Sequence, residues 1–591
     1  MTRARLLVVL AFAAAAGLVS AQVGRGGSEW LTAQGDAQRT SWIRTDAFIS
    51  VEALSKPGFQ LQWTSKIDNQ PRQLSGLGQG VTANGVTLFV PVSIVTGSAN
   101  NVYALDNDTG YVVWQRHFDA PLPAPTGACP GGMTGAATRI VPVAPPPFPP
   151  VAAAPGRGGG GRGGAGYRSS LGEPGEGVPV EARGGGPGRG GAPGPPAPGA
   201  PGAAAPPAPG APGVVGPGGR GAAGGGQAGG AGRGGNQDAG IPGAPSTAGR
   251  GGGLGRPSGV VYAVTSDGVL HVLGLPSGKD IQKPAPFLPA NAKWADLIAV
   301  NTTLYASTSQ NCGGAPNGVW AIDLESEAKP VVSWKSNGGS VVGGVTFTTD
   351  GTVLVAIGPG RTGAGYSNAI VALDPKTLEV KDWYTEPTSE FVTAPLVFRH
   401  DGKDMVAAAT KDGRVLLLEA ASLGGPSHAT PHYASRPLMA SPIAFAPEAL
   451  AMWQEVSGTP WLLVPVSGRL SADVKVSSIN GTVTNGTILA LKIVESAGKL
   501  SLQPGWASRD LTSPVTPIIV NGVVFAVSSG RRATPAVVYA LNGTDGRDLW
   551  NSGKTIASFL PSRSFWSAMG QIYLAASDST VYAFGFTMER R

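Results

Sequence analysis

The chain has 591 residues, of which 42% are hydrophobic and only 14% charged, so it can bury a sizeable core. Ninety Gly and 52 Pro make up roughly a quarter of the chain, close to the level of low-complexity sequence. The net charge of +7 lies largely in one Arg-Gly-rich segment, so the folded part is near balance and nucleic-acid binding is not expected.

In chain order, Arg3 and Arg5 precede an almost wholly apolar run from Leu6 to Val19, which ends Val19-Ser20-Ala21. This is the plan of a secretory signal peptide over residues 1–21, cleaved before Gln22, and it predicts a periplasmic or secreted protein. No later stretch reaches about 18 uncharged apolar residues, so no transmembrane segment is expected. Residues 22–143 then read as the first part of a folded domain. Residues 144–258 are mostly Pro, Gly, Ala and Arg, as in Gly156 to Gly164 and Pro193 to Pro212. They hold too little apolar surface to offset backbone ordering entropy and read as a disordered insertion. Residues 259–591 supply the rest of the domain. Long insertions of this kind cost little, because closure entropy grows only logarithmically.

The folded parts carry short β-branched and aromatic runs punctuated by Asn-Gly, Asp-Gly and Gly-Gly. These predict strands over Gly85–Val92, Gly259–Ser266, Thr352–Ile357, Val406–Thr410, Trp461–Val466, Gly522–Val527 and Gln571–Ala576. One helix is expected, over Pro447–Glu455, with Pro at the first turn. The cysteines are Cys129 and Cys312, in the similar loops Ala128-Cys129-Pro130-Gly131-Gly132 and Asn311-Cys312-Gly313-Gly314. An oxidising compartment would allow them to pair, although spacing alone does not show their approach. There is no Cys-x-x-Cys-His and no Cys/His cluster of metal-site spacing, so neither covalent haem nor a metal site is expected.

One phrase recurs: an apolar strand ending Ala-Leu-Asp or a variant, a turn with Gly, then Trp. It reads Tyr103-Ala104-Leu105-Asp106 … Gly110 … Trp114 and Tyr539-Ala540-Leu541-Asn542 … Gly546 … Trp550. Counting divergent forms, copies centre on Ala104, Leu273, Ala321, Ala372, Leu417, Ala490, Ala540 and Ala583. A spacing of about 40–60 residues suits one four-stranded blade per copy, hence an all-β, eight-bladed propeller. The last copy, Val581-Tyr582-Ala583-Phe584, has no Trp strand after it, whereas Leu61-Gln62-Trp63 stands near the start without a predecessor. The N-terminal strand should therefore complete the last blade and close the ring, removing exposed edges. Asp106, Asp323, Asp374 and Asn542 read as turn formers, and Trp114, Trp334, Trp383 and Trp550 as fillers between blades.

The unit Tyr103 to Trp114 resembles the pyrroloquinoline quinone (PQQ) repeat of quinoprotein dehydrogenases, and Trp30 to Thr40 is similar to the opening segment of that family's propellers. The resemblance implies the eight-bladed fold. It also implies PQQ and calcium as the cofactors and a separate cytochrome as the electron acceptor, if the chain is an enzyme. Alcohol-oxidising members set two adjacent cysteines against the quinone, and a Glu and an Asn around calcium near a catalytic Asp. Here Cys129 and Cys312 are far apart, and no stretch carries the other residues.

Arg72, Gln73, Trp294, Arg531, Arg532, Arg563 and Trp566 lie in loops or inner-strand approaches where a central funnel would form. A cationic, aromatic-lined funnel suits an anionic ligand. The histidines His117, His271, His400, His428 and His432 are scattered, with His400 beside a turn and His428 and His432 in one loop. With no catalytic set to assemble, the sequence reads as an exported binding or interaction module for a protein or small-molecule ligand. The alternative is a PQQ- and calcium-dependent alcohol or sugar dehydrogenase, which would bring a Glu and an Asn together on the axis near an Asp, beside a flat aromatic slot.

Overall fold

The computed structural model describes residues 29–69, 76–84, 90–144, 259–360, 365–441, 445, 447–476 and 479–587. The expected signal peptide, the insertion beyond Ala144, and the candidates Arg72 and Gln73 lie outside the described residues. So does most of the expected strand Gly85–Val92, while a strand runs through Val92–Gly97.

The described chain forms eight sheets, the blades of a propeller, antiparallel except where the short strands Trp42–Ile43 and Ile140–Val141 add in parallel to the inner edges of blades 7 and 3. Blade 1 contains the strands Val81–Ala83, Val92–Gly97, Asn101–Asp106 and Val112–His117. Blade 2 contains Val260–Val264, Val269–Gly274 and Ala285–Pro286, with Thr138 bridged to Tyr262 on its inner side. The first of the blade's own strands, called its inner strand below, is in blades 3 to 8 Lys293–Val300, Val341–Phe347, Leu396–His400, Ala451–Gln454, Ile518–Val520 and Phe565–Ala568.

The outermost strand of blade 8 comes from the start of the chain. Phe59–Lys66 pairs antiparallel with Thr580–Phe586, setting Trp63 opposite Ala583. The ring closes as the unpaired repeat required. The helix expected over Pro447–Glu455 is absent. Its second half is the inner strand Ala451–Gln454, paired with Pro460–Leu463. Cross-strand pairing of Trp453 with Trp461 and burial of Met452 outweigh a weak local helical tendency.

The repeat residues act as turn and packing groups. Asp106 Oδ1 accepts from the amides of Asp108 and Thr109, and Asp323 and Asp374 bind their own turns in the same way. Trp114 lies opposite Ala104 and crosses to blade 2, where it packs on Gly278 and donates from Nε1 to the Leu275 carbonyl at 2.6 Å. Trp63 meets Gly110, and Trp506 meets Gly546, in the same fashion. Trp550 lies opposite Ala540 and packs edge-on against Phe59 and Phe584 of blade 8.

Trp334 and Trp383 depart from the expected role. They pair with Val319 and Val371, whereas the positions opposite Ala321 and Ala372 hold Val332 and Asp382. The register carries both indoles off the docking position. They lie half-buried, and Trp383 stacks on His428 with ring centroids 3.9 Å apart.

The segment from Trp30 to Asp46 follows the inside of the ring and bonds to the blades in sequence. Trp30 exchanges bonds with Thr82 of blade 1, and the Leu31 carbonyl accepts from Arg139 beside blade 2. Thr32 Oγ1 donates to the Leu297 carbonyl of blade 3. The carbonyls of Ala37, Gln38, Thr40 and Ser41 accept from Phe347, Val397, Met452 and Ile519 of blades 4 to 7. Asp46 Oδ2 accepts from the Gly570 amide of blade 8. These partners are spread along the inner edges of all eight blades, so the segment fills the middle of the ring and stops the central channel.

Candidate functional site

The N-terminal ends of the inner strands, on one side of this stopper, surround a chamber of about 440 Å³. Small residues and backbone dominate its wall, from Gly76 to Gln79 of blade 1 and from Thr134 to Ala136 before blade 2. At its rim, the loop with Gly127, Ala128, Pro130 and Gly131 is tied down by a disulfide between Cys129 and Cys312, whose Cα atoms are 5.4 Å apart. Gln79, Asp296 and Arg563 line both the chamber and a narrower space of about 30 Å³ beneath it, which reaches Gln34, Ser41 and Glu448.

A charged trio occupies this constriction. Arg563 Nη1 donates to Asp296 Oδ2 at 2.6 Å, and its Nε to Glu448 Oε1 at 2.9 Å. The Arg563 amide also donates to Glu448 Oε2 at 3.2 Å. Residues from blades 3 and 8 and from the approach to blade 6 thus converge on the axis. Asp296 sits in a β-bulge between Ala295 and Ile298, with φ of 46°, which turns its side chain inward from an otherwise apolar strand. Gly344 makes room, because a Cβ there would lie 2.7 Å from Asp296 Cβ and 2.9 Å from Arg39 Nη2.

Beneath the trio, Arg39 is only 1% exposed and donates to the carbonyls of Val345, Ala33 and Asp296. Burial lowers its pKa, partly offset by Asp296, yet a guanidinium keeps its charge at any ordinary pH. Burial pushes the Glu448 carboxyl upward against the opposing pull of Arg563. Arg563 is itself held more firmly protonated, chiefly by Asp296. Lys293, at the start of the inner strand of blade 3, lines the chamber and is half-buried. Its pKa is lowered first by burial and then by Arg563. Its ammonium has no hydrogen-bond or ion-pair partner among the described residues.

Of the sequence candidates, Arg563 lies at this site. Trp294 and Trp566 do not reach the chamber: they are 2% and 0% exposed and pack over Gly135 and Gly80 between neighbouring inner strands. Trp566 also stacks on Tyr573 and donates to Ser93 Oγ. Arg531 and Arg532 sit in the exposed turn of a hairpin of blade 7, closed by the Arg531–Thr534 bridge. Sequence reasoning missed Asp296, Glu448, Arg39 and Lys293. A charge inside the apolar run Leu297-Ile298-Ala299-Val300 and its approach was the available signal for Asp296. Glu448 was hidden by the helical reading of its segment.

The donor set does not match a calcium-bound quinone. Calcium takes six to eight oxygens, but Asp296 Oδ2 and both Glu448 oxygens already accept from Arg563. Among the described residues no asparagine joins the trio, and none of the residues lining the chamber carries an aromatic ring.

No family model and no curated protein matches the chain. Among solved structures, it is similar to a quinohemoprotein alcohol dehydrogenase from Comamonas testosteroni, with 13% identity and a TM-score of 0.50 over 95% of this chain and 81% of that one. It is also similar to a quinohemoprotein alcohol dehydrogenase from Pseudomonas putida HK5, with 12% identity and a TM-score of 0.52 over the same shares. At such identities the likeness is one of fold. No described helix is long and apolar enough to cross a membrane.

Proposed function

We infer that the protein is an exported binding module that admits a small anionic ligand to a funnel stopped at its far end. The observation that carries this reading is Lys293, a cation without a partner among the described residues, lining a roomy chamber while Arg563 is already occupied by two carboxylates. Around it, backbone and small side chains leave space for a compact carboxylate or phosphate compound. The Cys129–Cys312 disulfide supports export, since such bonds persist in oxidising compartments.

The test is calorimetric titration of the purified protein with citrate, inorganic phosphate and PQQ, each an anion of different size. At least one should bind, and Lys293→Met should weaken it at least tenfold, about 1.4 kcal/mol. Affinity should also fall with rising pH before the ordinary lysine value of 10.5 is reached, because the lowered Lys293 pKa sheds the charge early while Arg563, held more firmly protonated, keeps its own. Equal affinities for wild type and Lys293→Met would refute the assignment.

A PQQ-dependent alcohol or sugar dehydrogenase is the second reading, favoured by Glu448 and Asp296 converging on the axis of a quinoprotein-like propeller. In that case a separate cytochrome would take the electrons. Alcohol-dependent dye reduction after adding PQQ and Ca²⁺ would establish it and displace the binding-module reading. For that to occur, Arg563 must release a carboxylate to the metal.

A further inference from the structure

A second cluster of ligand-bearing side chains lies away from the funnel, where blades 5 and 6 meet. Strands Leu396–His400 and Lys403–Ala409 of blade 5 are joined by the two-residue turn Asp401-Gly402, with φ of 45° and 77°. Two positive φ values match the twist of a tight hairpin and fix His400 and Asp401 side by side. Blade 6 contributes an unusually long hairpin, Gly486–Ser496 with Lys499–Ala507, whose tip carries Glu495. The backbone amide of Leu500 in this hairpin donates to His432 Nε2 of blade 5, which holds the tip against its neighbour.

The result is one imidazole and two carboxylates from sites 95 residues apart in sequence. Their ligand atoms all lie within 4.8 Å of one another. His400 Nε2 is 2.8 Å from Glu495 Oε2 and 3.8 Å from Asp401 Oδ2. Tetrahedral ligands at about 2.0 Å from an ion stand about 3.3 Å apart, so each His400 distance lies within roughly half an ångström of that spacing. The Asp401 side chain is 79% exposed and free to adjust, while His400 at 21% is held in place. Mixed imidazole and carboxylate donors suit a borderline divalent ion such as Zn²⁺ or Ni²⁺, with water filling the remaining positions. Of the two other histidines in this part of the ring, His428 Nδ1 bonds the Trp383 carbonyl and His432 receives the Leu500 amide.

We propose that His400, Asp401 and Glu495 form a divalent transition-metal site that ties blade 5 to blade 6. The two carboxylates give the cluster net negative charge, so the ion gains attraction as well as coordination. The site lies at the C-terminal end of the inner strand of blade 5, away from the chamber at the opposite strand ends, and is separate from the funnel ligand.

The test uses untagged full-length protein stripped with EDTA and titrated with Zn²⁺ by calorimetry, followed by thermal melting. One Zn²⁺ should bind per chain and raise Tm. His400→Ala and Glu495→Gln should each weaken binding at least tenfold. Asp401→Asn keeps the turn, because Asn accepts positive φ, and should weaken binding with the metal-free Tm unchanged. Cu²⁺ in place of Zn²⁺ should show nitrogen coupling in its electron paramagnetic resonance spectrum that His400→Ala removes. Absence of saturable Zn²⁺ binding, or binding unaltered in His400→Ala and Glu495→Gln, would show a plain His–Glu ion pair and overturn the proposal.

Discussion

Asp510 shows how far a single side chain can be tuned without entering the core. Its two oxygens accept from the amides of Thr484 and Asn485 and from both of their side chains. Burial raises its pKa somewhat, but the bonds from Asn485 and Thr484 prevail and hold it at about 2. A depressed carboxyl pKa stabilises the fold above the ordinary value of 3.8. That contribution is lost as pH falls from there through about 2. A carboxyl-resolved NMR titration should place the midpoint near that value, and Asp510→Asn should flatten the acid limb of the stability profile between pH 4 and 2. A titration midpoint at 3.8 would mean the cap over Thr484 and Asn485 is not formed in solution. Arg563 is the opposite case, a cation whose value lies in the two acids it keeps apart. Such residues are poorly legible from sequence, because nothing near Asp296 or Glu448 in the chain announces an arginine more than a hundred residues away.

Between adjacent blades, the strands communicate through indoles set on glycines. A Cβ on Gly278 would lie 2.4 Å from Trp114 Cε3, and Gly278 also has φ of 63°. Gly278→Ala should therefore cost about 1–3 kcal/mol through overpacking and backbone strain, read as a lower midpoint in urea. The same exchange at Gly553, where φ is 58° and nothing lies within 4 Å, carries only the backbone cost and should be milder. Equal losses at both would show that the indole yields freely. This level was the most legible in the sequence, since Tyr-Ala-Leu-Asp…Gly…Trp repeats because each part has a mechanical duty. Its errors came from register. Trp334 and Trp383 follow the repeat by position, yet a shift of one or two residues along the ladder moved them out of the seam, and spacing in sequence does not report the ladder.

For the molecule as a whole, closure was readable from the unpaired Trp63 strand, and the two cysteines hinted at a tether that the structure draws between the approach to blade 2 and blade 3. The disulfide spans 183 residues of sequence. A crosslink of that span constrains the unfolded chain by up to about 5 kcal/mol in the chain-entropy account, with about 2–4 the usual yield. Replacing both cysteines by serine should lower Tm by about 3–8 °C, and reducing wild type should do the same. An unchanged Tm in both would mean the tether adds nothing beyond local order at the rim. The funnel was largely illegible at this scale. Its residues are drawn from the opening segment, blades 3 and 8, and the approach to blade 6, and only the closed ring brings them to one axis.

The segment from Trp30 to Asp46 has a consequence in time. It is synthesised before any blade it binds, yet its last partner, Gly570, belongs to the eighth. Its carbonyls and amides must wait for nearly the whole chain to be made before the final bond can form. Until then neither the stopper nor the outer strand Phe59–Lys66 has a complete seat, so a truncated chain would keep both ends of the ring unlatched. Completion of the fold is thus coupled to synthesis of the eighth blade, and a chain that stops short of it has no finished funnel to offer a ligand.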